Sequence, residues 1–318
     1  MKQGTFVISL DFELVWGLFD HIRLEEKVTY FDQTLQVIPQ LLSCFEVNKI
    51  QVTWATVGML FNENWDEWMA NQPQERPTYD NPNLDAYAYG ERYRNSGWDR
   101  FFFAPELIKA ITQTKGQELA THTYSHYYCM EPGQTVSQFK ADLAQAVQLA
   151  RKFGCTMESL VFPRNQYHAS YLEACMAHGI QQVRTNPKVW YWDNPKAGLS
   201  SKIARTADAY LPFASKSYPT TQVKTVGSGV QGQPASRFLR PHHSQNPLNV
   251  IRLQRIIHEM TFAAQKGEIY HLWWHPHNFG THPQESMAAL QSIVAAYKKL
   301  ADTYGIQSKS MHQLTREQ

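Results

Sequence analysis

The octapeptide Thr121-His122-Thr123-Tyr124-Ser125-His126-Tyr127-Tyr128 sets two imidazoles four residues apart, directly after Gly116-Gln117-Glu118-Leu119-Ala120, which reads as a buried strand. If the chain turns helically as it leaves that strand, side chains four apart face the same way, and His122 and His126 can bind one metal ion. Zinc-like catalytic centres usually take three protein ligands and keep a position open for water, so a third group must come from elsewhere. Asp11-Phe12-Glu13, after the β-rich Thr5 to Leu10, offers carboxylates. Residues two apart in extended chain share a side, so Asp11 and Glu13 face one pocket while Phe12 turns to the core. One of the two can bind metal while the other takes a proton. His275, after the apolar run His271-Leu272-Trp273-Trp274, is the candidate acid, with the tryptophans walling the site against water. Cys129, close to the histidines, reads as a small packing residue rather than a third ligand.

A lone HxxxH is more often structural than catalytic, and a lone DxE is a weaker signal still. What gives these residues weight is the company they keep. Five polar clusters each follow a strand-like segment: Asp11-Phe12-Glu13, His122 with His126, Pro163-Arg164-Asn165-Gln166, Arg240-Pro241-His242-His243 and His275-Pro276-His277-Asn278. In a barrel of parallel strands those ends open on one face, where such folds keep their active sites.

The intervening segments are helical in period: 31–45 with an expected kink at Pro39, 104–111, 135–153, 170–178, 248–265 and 284–304. Strand-like stretches at 50–57, 159–162, 180–184, 237–240 and 269–274 alternate with them, and a short last strand is expected at Ile306. The expected class is therefore α/β, a mostly parallel sheet curled into a distorted (β/α) barrel of about seven units. The whole of 1–318 reads as one domain with two long loop insertions, near 62–103 and 186–236, and 73–97 is expected to run as an ordered surface loop.

Composition narrows the function classes. With 43% hydrophobic residues, 18% charged and a formal charge of +2, the chain has the balance of an enzyme with a large core. No basic run or recognition-module signature points to nucleic acid, and no 18-residue apolar run points to a transmembrane segment. The four scattered cysteines form no CxxC pair and read as reduced thiols. The first residues are too short a lead for a signal peptide, which places the chain in the cytoplasm as an expectation.

The stretches Ser9-Leu10-Asp11-Phe12-Glu13, His122-Thr123-Tyr124-Ser125-His126, Phe162-Pro163-Arg164-Asn165-Gln166 and Leu272-Trp273-Trp274-His275 resemble the motifs of the polysaccharide deacetylases, which share the NodB homology domain and include the carbohydrate esterase 4 enzymes. The resemblance spans most of the chain outside the two insertions. It implies a divalent metal, zinc foremost, and hydrolysis of an N-acetyl or another amide-like C–N group. Carried over residue by residue, it makes His122, His126 and Glu13 the metal ligands, Asp11 the general base, Arg164 the group that orients Asp11, and His275 the general acid. The oxyanion would rest on the metal and on a backbone N–H near the second motif. This sequence departs from the common pattern in three places: Phe12 separates two carboxylates that are usually adjacent, Pro163 precedes Arg164 instead of following it, and the acidic partner of the catalytic histidine has only Asp193 and Asp208 as candidates.

The expected substrate is an N-acetylated sugar, contacted by Trp54, Tyr128, Arg240, His242 and Trp274. Trp65, Trp68, Tyr87, Tyr89 and Trp98 of the first insertion and Trp190, Tyr191 and Trp192 of the second offer flat faces either for sugar rings or for packing. A cytoplasmic enzyme of this kind would act on a nucleotide-linked or lipid-linked precursor, and nothing in the sequence excludes an oligomer. The alternative readings are a catalytically inactive carbohydrate-binding barrel and a hydrolase of a formamide or cyclic amide.

Overall fold

The computed structural model describes residues 3–187, 189–193, 198–208, 210, 216–242 and 246–316. The strands are β1 Thr5–Phe12, β2 Val52–Thr56, β3 Gln117–Thr121, β4 Ser159–Leu160, β5 Gln182–Thr185, β6 Lys224–Gly227, β7 Val230–Pro234, β8 Arg237–Phe238, β9 Ile269–Trp274 and β10 Gln307–Lys309. The helices are α1 Val28–Val47, α2 Trp65–Ala70, α3 Ala86–Tyr93, α4 Pro105–Gln113, α5 Val136–Lys152, α6 Ser170–Ala177, α7 Trp190–Asp193, α8 Leu199–Asp208, α9 Leu248–Lys266, α10 Pro283–Tyr304 and α11 Met311–Arg316.

The sheet runs β6-β7-β5-β4-β3-β2-β1-β9-β8, with β10 also on β1. All of its pairings are parallel except β6 with β7. β7 and β8 are halves of one extended segment. The first half pairs with β5, Ala235 N–H bonds the Thr185 carbonyl, Ser236 N–H bonds the His271 carbonyl, and the second half pairs with β9. That segment ties the two flanks of the curled sheet together, which is the distorted barrel that the strand–helix alternation predicts.

Strand alternation separates two cores. Even-numbered residues of β1 (Phe6, Ile8, Leu10, Phe12) face outward, into a large apolar layer shared with α1, α4, α5, α9 and α10. Val7 of β1, Ala55 of β2, Ala120 of β3, Val161 and Ile269 of β9 point inward, and Met311 and Leu314 of α11 plug that end of the barrel. Above the plug the interior turns polar: Ser9, Asp11, Arg184 and His271 are all buried there. α1 runs through Pro39 without ending, its apolar face (Val37, Ile38, Leu41, Leu42) buried on the sheet. That burial outweighs the missing hydrogen bond.

Two sequence expectations are corrected. The stretch 73–97 is no surface loop: it contains α3, whose Tyr87, Tyr89 and Tyr93 are buried. The second insertion is not wholly loop either, because β7 within it is a barrel strand. Its glycines and glutamines lack the apolar alternation by which strands are recognised.

Candidate active site

Glu13 is the hub. Its Oε2 lies 3.2 Å from Nε2 of His122 and 3.2 Å from Nε2 of His126, and these donor atoms lie close enough together to hold a metal ion. All three side chains are buried. The 122–126 segment is not the expected helical turn. Thr123 (φ 66°) and His126 (φ 57°) adopt left-handed backbone, and the loop is pinned by Asp142 of α5, which accepts from Tyr124 N–H at 2.7 Å, Ser125 N–H at 3.0 Å and the Ser125 hydroxyl. Thr123 Oγ1 accepts from Tyr127 N–H at 2.7 Å. The imidazoles converge, ring centroids 5.0 Å apart, because side chains hold the loop in a shape that propensity alone disfavours. Burial pushes Asp142 up to about 6 against these donors.

The donor set suits a zinc-type cation. His122 Nδ1 bonds the Val161 carbonyl at 2.7 Å, which turns the other nitrogen toward Glu13. His126 is held below the ordinary imidazole value, by burial first, so it stays neutral and able to ligate, and its Nδ1 has no hydrogen-bond partner among the described residues. Burial works to raise the Glu13 carboxyl, but His275 and the hydrogen bonds with His122 and His126 carry it well below the ordinary value. Glycine at position 17 is a steric requirement, since a Cβ there would stand 1.9 Å from the Glu13 carboxyl carbon. A second group of possible metal donors shares Glu13 with His275 and His277.

Asp11 lies beside this cluster, and its guanidinium partner is Arg184 and not Arg164. Arg184, fully buried at the end of β5, donates to both Asp11 oxygens at 2.7 and 2.6 Å, to Ser9 Oγ at 3.0 Å and to Asn165 Oδ1 at 2.9 Å, and its guanidinium lies 4.2 Å from the Trp273 ring. Burial alone would raise the Asp11 carboxyl, but Arg184, His122 and His275 together hold it below the ordinary range. Arg164, left-handed at φ 57°, instead points outward to Asp20 at 2.6 Å and Glu131 at 2.7 Å and covers the Tyr128 ring at 4.2 Å. Its backbone shape directs the side chain away from the barrel axis, which only Asn165 reaches. The signal for Arg184 was an arginine closing the strand-like stretch 180–184; the structure buries that strand, where an unpaired charge is costly.

His275 Nε2 lies 3.6 Å from Asp11 Oδ2 and 3.7 Å from Glu13 Oε1. Its Nδ1 meets Asn278 Oδ1 at 3.2 Å, so an amide takes the place where an acidic partner was sought. Asp208 is engaged elsewhere, with Lys216, Arg237 and Arg255, and the side chain of Asp193 lies outside the described residues. His277, named in the sequence only as part of the fifth polar cluster and given no role there, stacks on His275 at 4.8 Å and 7°, with Nδ1 3.8 Å from Glu13 Oε1. Burial and the neighbouring His275 hold it neutral, down to about 3.

The expected substrate contacts divide. Tyr128 meets His126 edge to face at 5.0 Å, and Arg240 and His242 line a cavity next to the site. Trp54 and Trp274 do not reach it. Both are fully buried on the outer face of the sheet, Trp54 between Phe12 and Phe45 and Trp274 between Phe45 and Phe279. Strand parity is the reason, and it makes the neighbouring Trp273 the residue that faces inward, 5.7 Å from the His275 ring. Cys129 is buried, with its thiol pushed well up by burial, outside both groups of possible metal donors.

A profile of the polysaccharide deacetylases matches residues 25–183. A comparison with curated proteins finds no match. Among solved structures, the chain is similar to a Mycobacterium smegmatis protein assigned as a polysaccharide deacetylase, at 13% identity and TM-score 0.63 over 99% of this chain and 90% of that one. It is also similar to the Puue allantoinase, at 10% identity and TM-score 0.56 over 98% and 89% of the two chains. The 4-alpha-glucanotransferase of Thermococcus litoralis matches at 9% identity and TM-score 0.56, over 100% of this chain and 41% of that one. At such identities the likeness is one of fold.

Proposed function

The chain belongs to the polysaccharide deacetylase family, and from that premise we propose that it is a metal-dependent hydrolase that removes the N-acetyl group of a sugar. The observation that carries this reading is the joining of two constellations on one carboxylate-rich strand end: Glu13 with His122 and His126, and Asp11 with Arg184 and His275. The first would hold the cation. A divalent ion there would supply Lewis acidity to the acyl oxygen and acidity to a nucleophilic water.

The rest of the chemistry belongs to the chain. Asp11 takes the proton of the attacking water. Its two bonds from Arg184 keep it ionised and aim its free lone pairs. With Nδ1–H given to Asn278, the proton that His275 exchanges sits on Nε2, the nitrogen nearest Asp11, so base and acid reach one reacting group. His275 protonates the departing nitrogen as the C–N bond breaks, and acetate and a free amine leave. Phe238 and Trp273, edge-on to His275, make the wall that keeps bulk water from that proton.

The test is metal content per chain by elemental analysis, with acetate release from N-acetylglucosamine and its oligomers, in wild type and in His122→Ala with His126→Ala. About one zinc-type ion per chain and acetate release, both lost in the double variant, is the expected outcome. Tight metal without release of acetate from any N-acetyl sugar would end the deacetylase reading, and absence of metal after loading would end the metal-dependent one.

A further inference from the structure

After β9 the chain reads His275-Pro276-His277-Asn278, two imidazoles two residues apart with a proline between them. Pro276 opens a single 3-10 turn, Pro276–Phe279, for which its fixed φ is already suited. The turn brings both rings beside Glu13. Asn278 Oδ1 accepts from the His275 backbone N–H at 3.3 Å and meets the His275 ring at Nδ1, 3.2 Å away, so a neutral His275 carries its lone pair on Nε2.

The Glu13 carboxylate divides its oxygens between two histidine pairs. Oε2 stands 3.2 Å from Nε2 of both His122 and His126, whereas Oε1 stands 3.7 Å from His275 Nε2 and 3.8 Å from His277 Nδ1. With Glu13, each pair forms a group whose donor atoms all lie within 4.8 Å of one another. Bonds of about 2.1 Å in a tetrahedral site put donors about 3.4 Å apart, so a small inward movement brings Oε1 and the two nitrogens onto one ion. His277 supplies the independent sign. It is only 3% exposed, and its Nδ1, which faces Glu13 Oε1, has no hydrogen-bond partner among the described residues. The first set of ligands and the acid–base pair both do without it. A buried polar atom in that position is explained by a ligand that it is built to meet.

We propose that Glu13 Oε1, His275 Nε2 and His277 Nδ1 form a second divalent-cation site, of the zinc type, weaker than the first and inhibitory. Two nitrogens and one carboxylate oxygen are a borderline donor set that suits zinc better than calcium or magnesium. Two features make the site the weaker one. The His275 and His277 rings are stacked 4.8 Å apart and 7° from parallel, so one must turn out of the stack before both nitrogens face one ion; His275, 23% exposed, has the room. A second dication also repels the first across the carboxylate that they share. The effect on turnover rests on the deacetylase reading, in which His275 is the acid. An ion bound at Nε2 takes the electron pair that must carry the proton, and any proton there passes to solvent. The chain works with one ion and stops with two.

Zinc bound at equilibrium is measured by dialysis and elemental analysis, over rising free zinc, in wild type, His277→Phe, His275→Phe and the His122→Ala, His126→Ala double variant. Wild type is expected to take two ions in separate steps, the second weaker by at least about tenfold. Phenylalanine keeps a ring in the stack but offers no lone pair, so each Phe variant should keep the tight ion, which also reports that it has folded, and lose the weak one. The double variant should do the reverse. Acetate release over the same range should fall at least about tenfold as wild type takes its second ion, and should not fall in His277→Phe. Saturation of wild type at one ion overturns the proposal, as does a second ion that survives in either Phe variant or vanishes in the double variant. A second ion bound without loss of acetate release overturns the inhibitory role. The zinc count needs no turnover, so a chain that releases no acetate ends the deacetylase reading while the count still decides the second site.

Discussion

The two long insertions read alike in the sequence, both rich in turn residues and aromatic rings, yet they do opposite work. Residues 62–103 contain eight acidic and four basic residues, residues 186–236 six basic and two acidic. The first insertion is closed. Trp65, Trp68, Tyr87 and Tyr89 are buried against one another and against Trp16, Phe19 and Phe102, and Trp16 Nε1 donates to the Phe102 carbonyl at 2.8 Å. Trp16 and Phe19 belong to the loop that carries Glu13, so this insertion braces the Glu13 side of the site. The second insertion is open. It supplies a barrel strand and, through Trp192, Asp208 and Lys216, one wall of the cavity lined by Phe238 and Trp273, and it leaves Trp190 63% exposed. Aromatic content alone cannot separate a brace from a cavity wall. What each insertion touches can.

The largest expected effect tests the residue that links the sheet to the second insertion. Arg184→Met should lower turnover by about 10²- to 10⁴-fold, the range of a positioned base. Burial raises the Asp11 carboxyl and Arg184 opposes it, so the acid limb of the pH–rate profile should move to higher pH. Arg164→Met should leave that limb in place, and an equal shift there would undo the assignment of Arg184.

Trp68→Ala comes next and strikes the brace itself. Loss of this fully buried ring should cost about 3–5 kcal/mol in denaturant unfolding. Gly17→Ala probes what the brace holds in place. With a Cβ 1.9 Å from the Glu13 carboxyl carbon, metal affinity measured by chelator competition should fall by roughly 100-fold or more, and unchanged affinity would show that Glu13 is not a ligand.

A smaller effect is expected at Asp142→Asn, where an amide cannot accept from three donors at once, at a cost of about 1–3 kcal/mol. The pH dependence separates this role from a merely steric one. The folded value of Asp142, about 6, exceeds the ordinary 3.8, so its contribution to stability is full below about pH 4 and is lost as pH rises through 6. The Asn variant should lack that slope. The smallest effect belongs to the open insertion: Trp190→Ala should change stability by less than about 0.5 kcal/mol, and a loss near that of Trp68→Ala would erase the contrast between the two insertions.

Much of the site was legible because its chemistry is local. Strand ends show as apolar runs stopped by polar residues, and that pattern brought Asp11, Glu13, His122, His126 and His275 to one face. Where a side chain points was less legible. Trp273 and Trp274 are neighbours of one type, and only the parity of β9 against β1, with Ser9 opposite Trp273 and Leu10 opposite Trp274, sends one inward and the other out. The same holds for the arginines. Arg164 sits in a recognisable motif but has left-handed backbone, whereas Arg184 sits in an expected strand that carries no motif, and its register takes it to Asp11.

By itself the sequence determined the alternation of strand and helix, the residue types able to bind a metal and move protons, and the basic bias of the second insertion. These are properties of composition and short period, carried by each segment alone. Tertiary structure decided the pairing of Asp11 with Arg184, the left-handed loop that turns His126 toward Glu13, the place of His277, and the joining of β5 to β9 through one extended segment. Each of those depends on residues far apart in the chain meeting in a buried space. There an unpaired charge or polar group is costly, so the fold that satisfies all of them at once selects the partners.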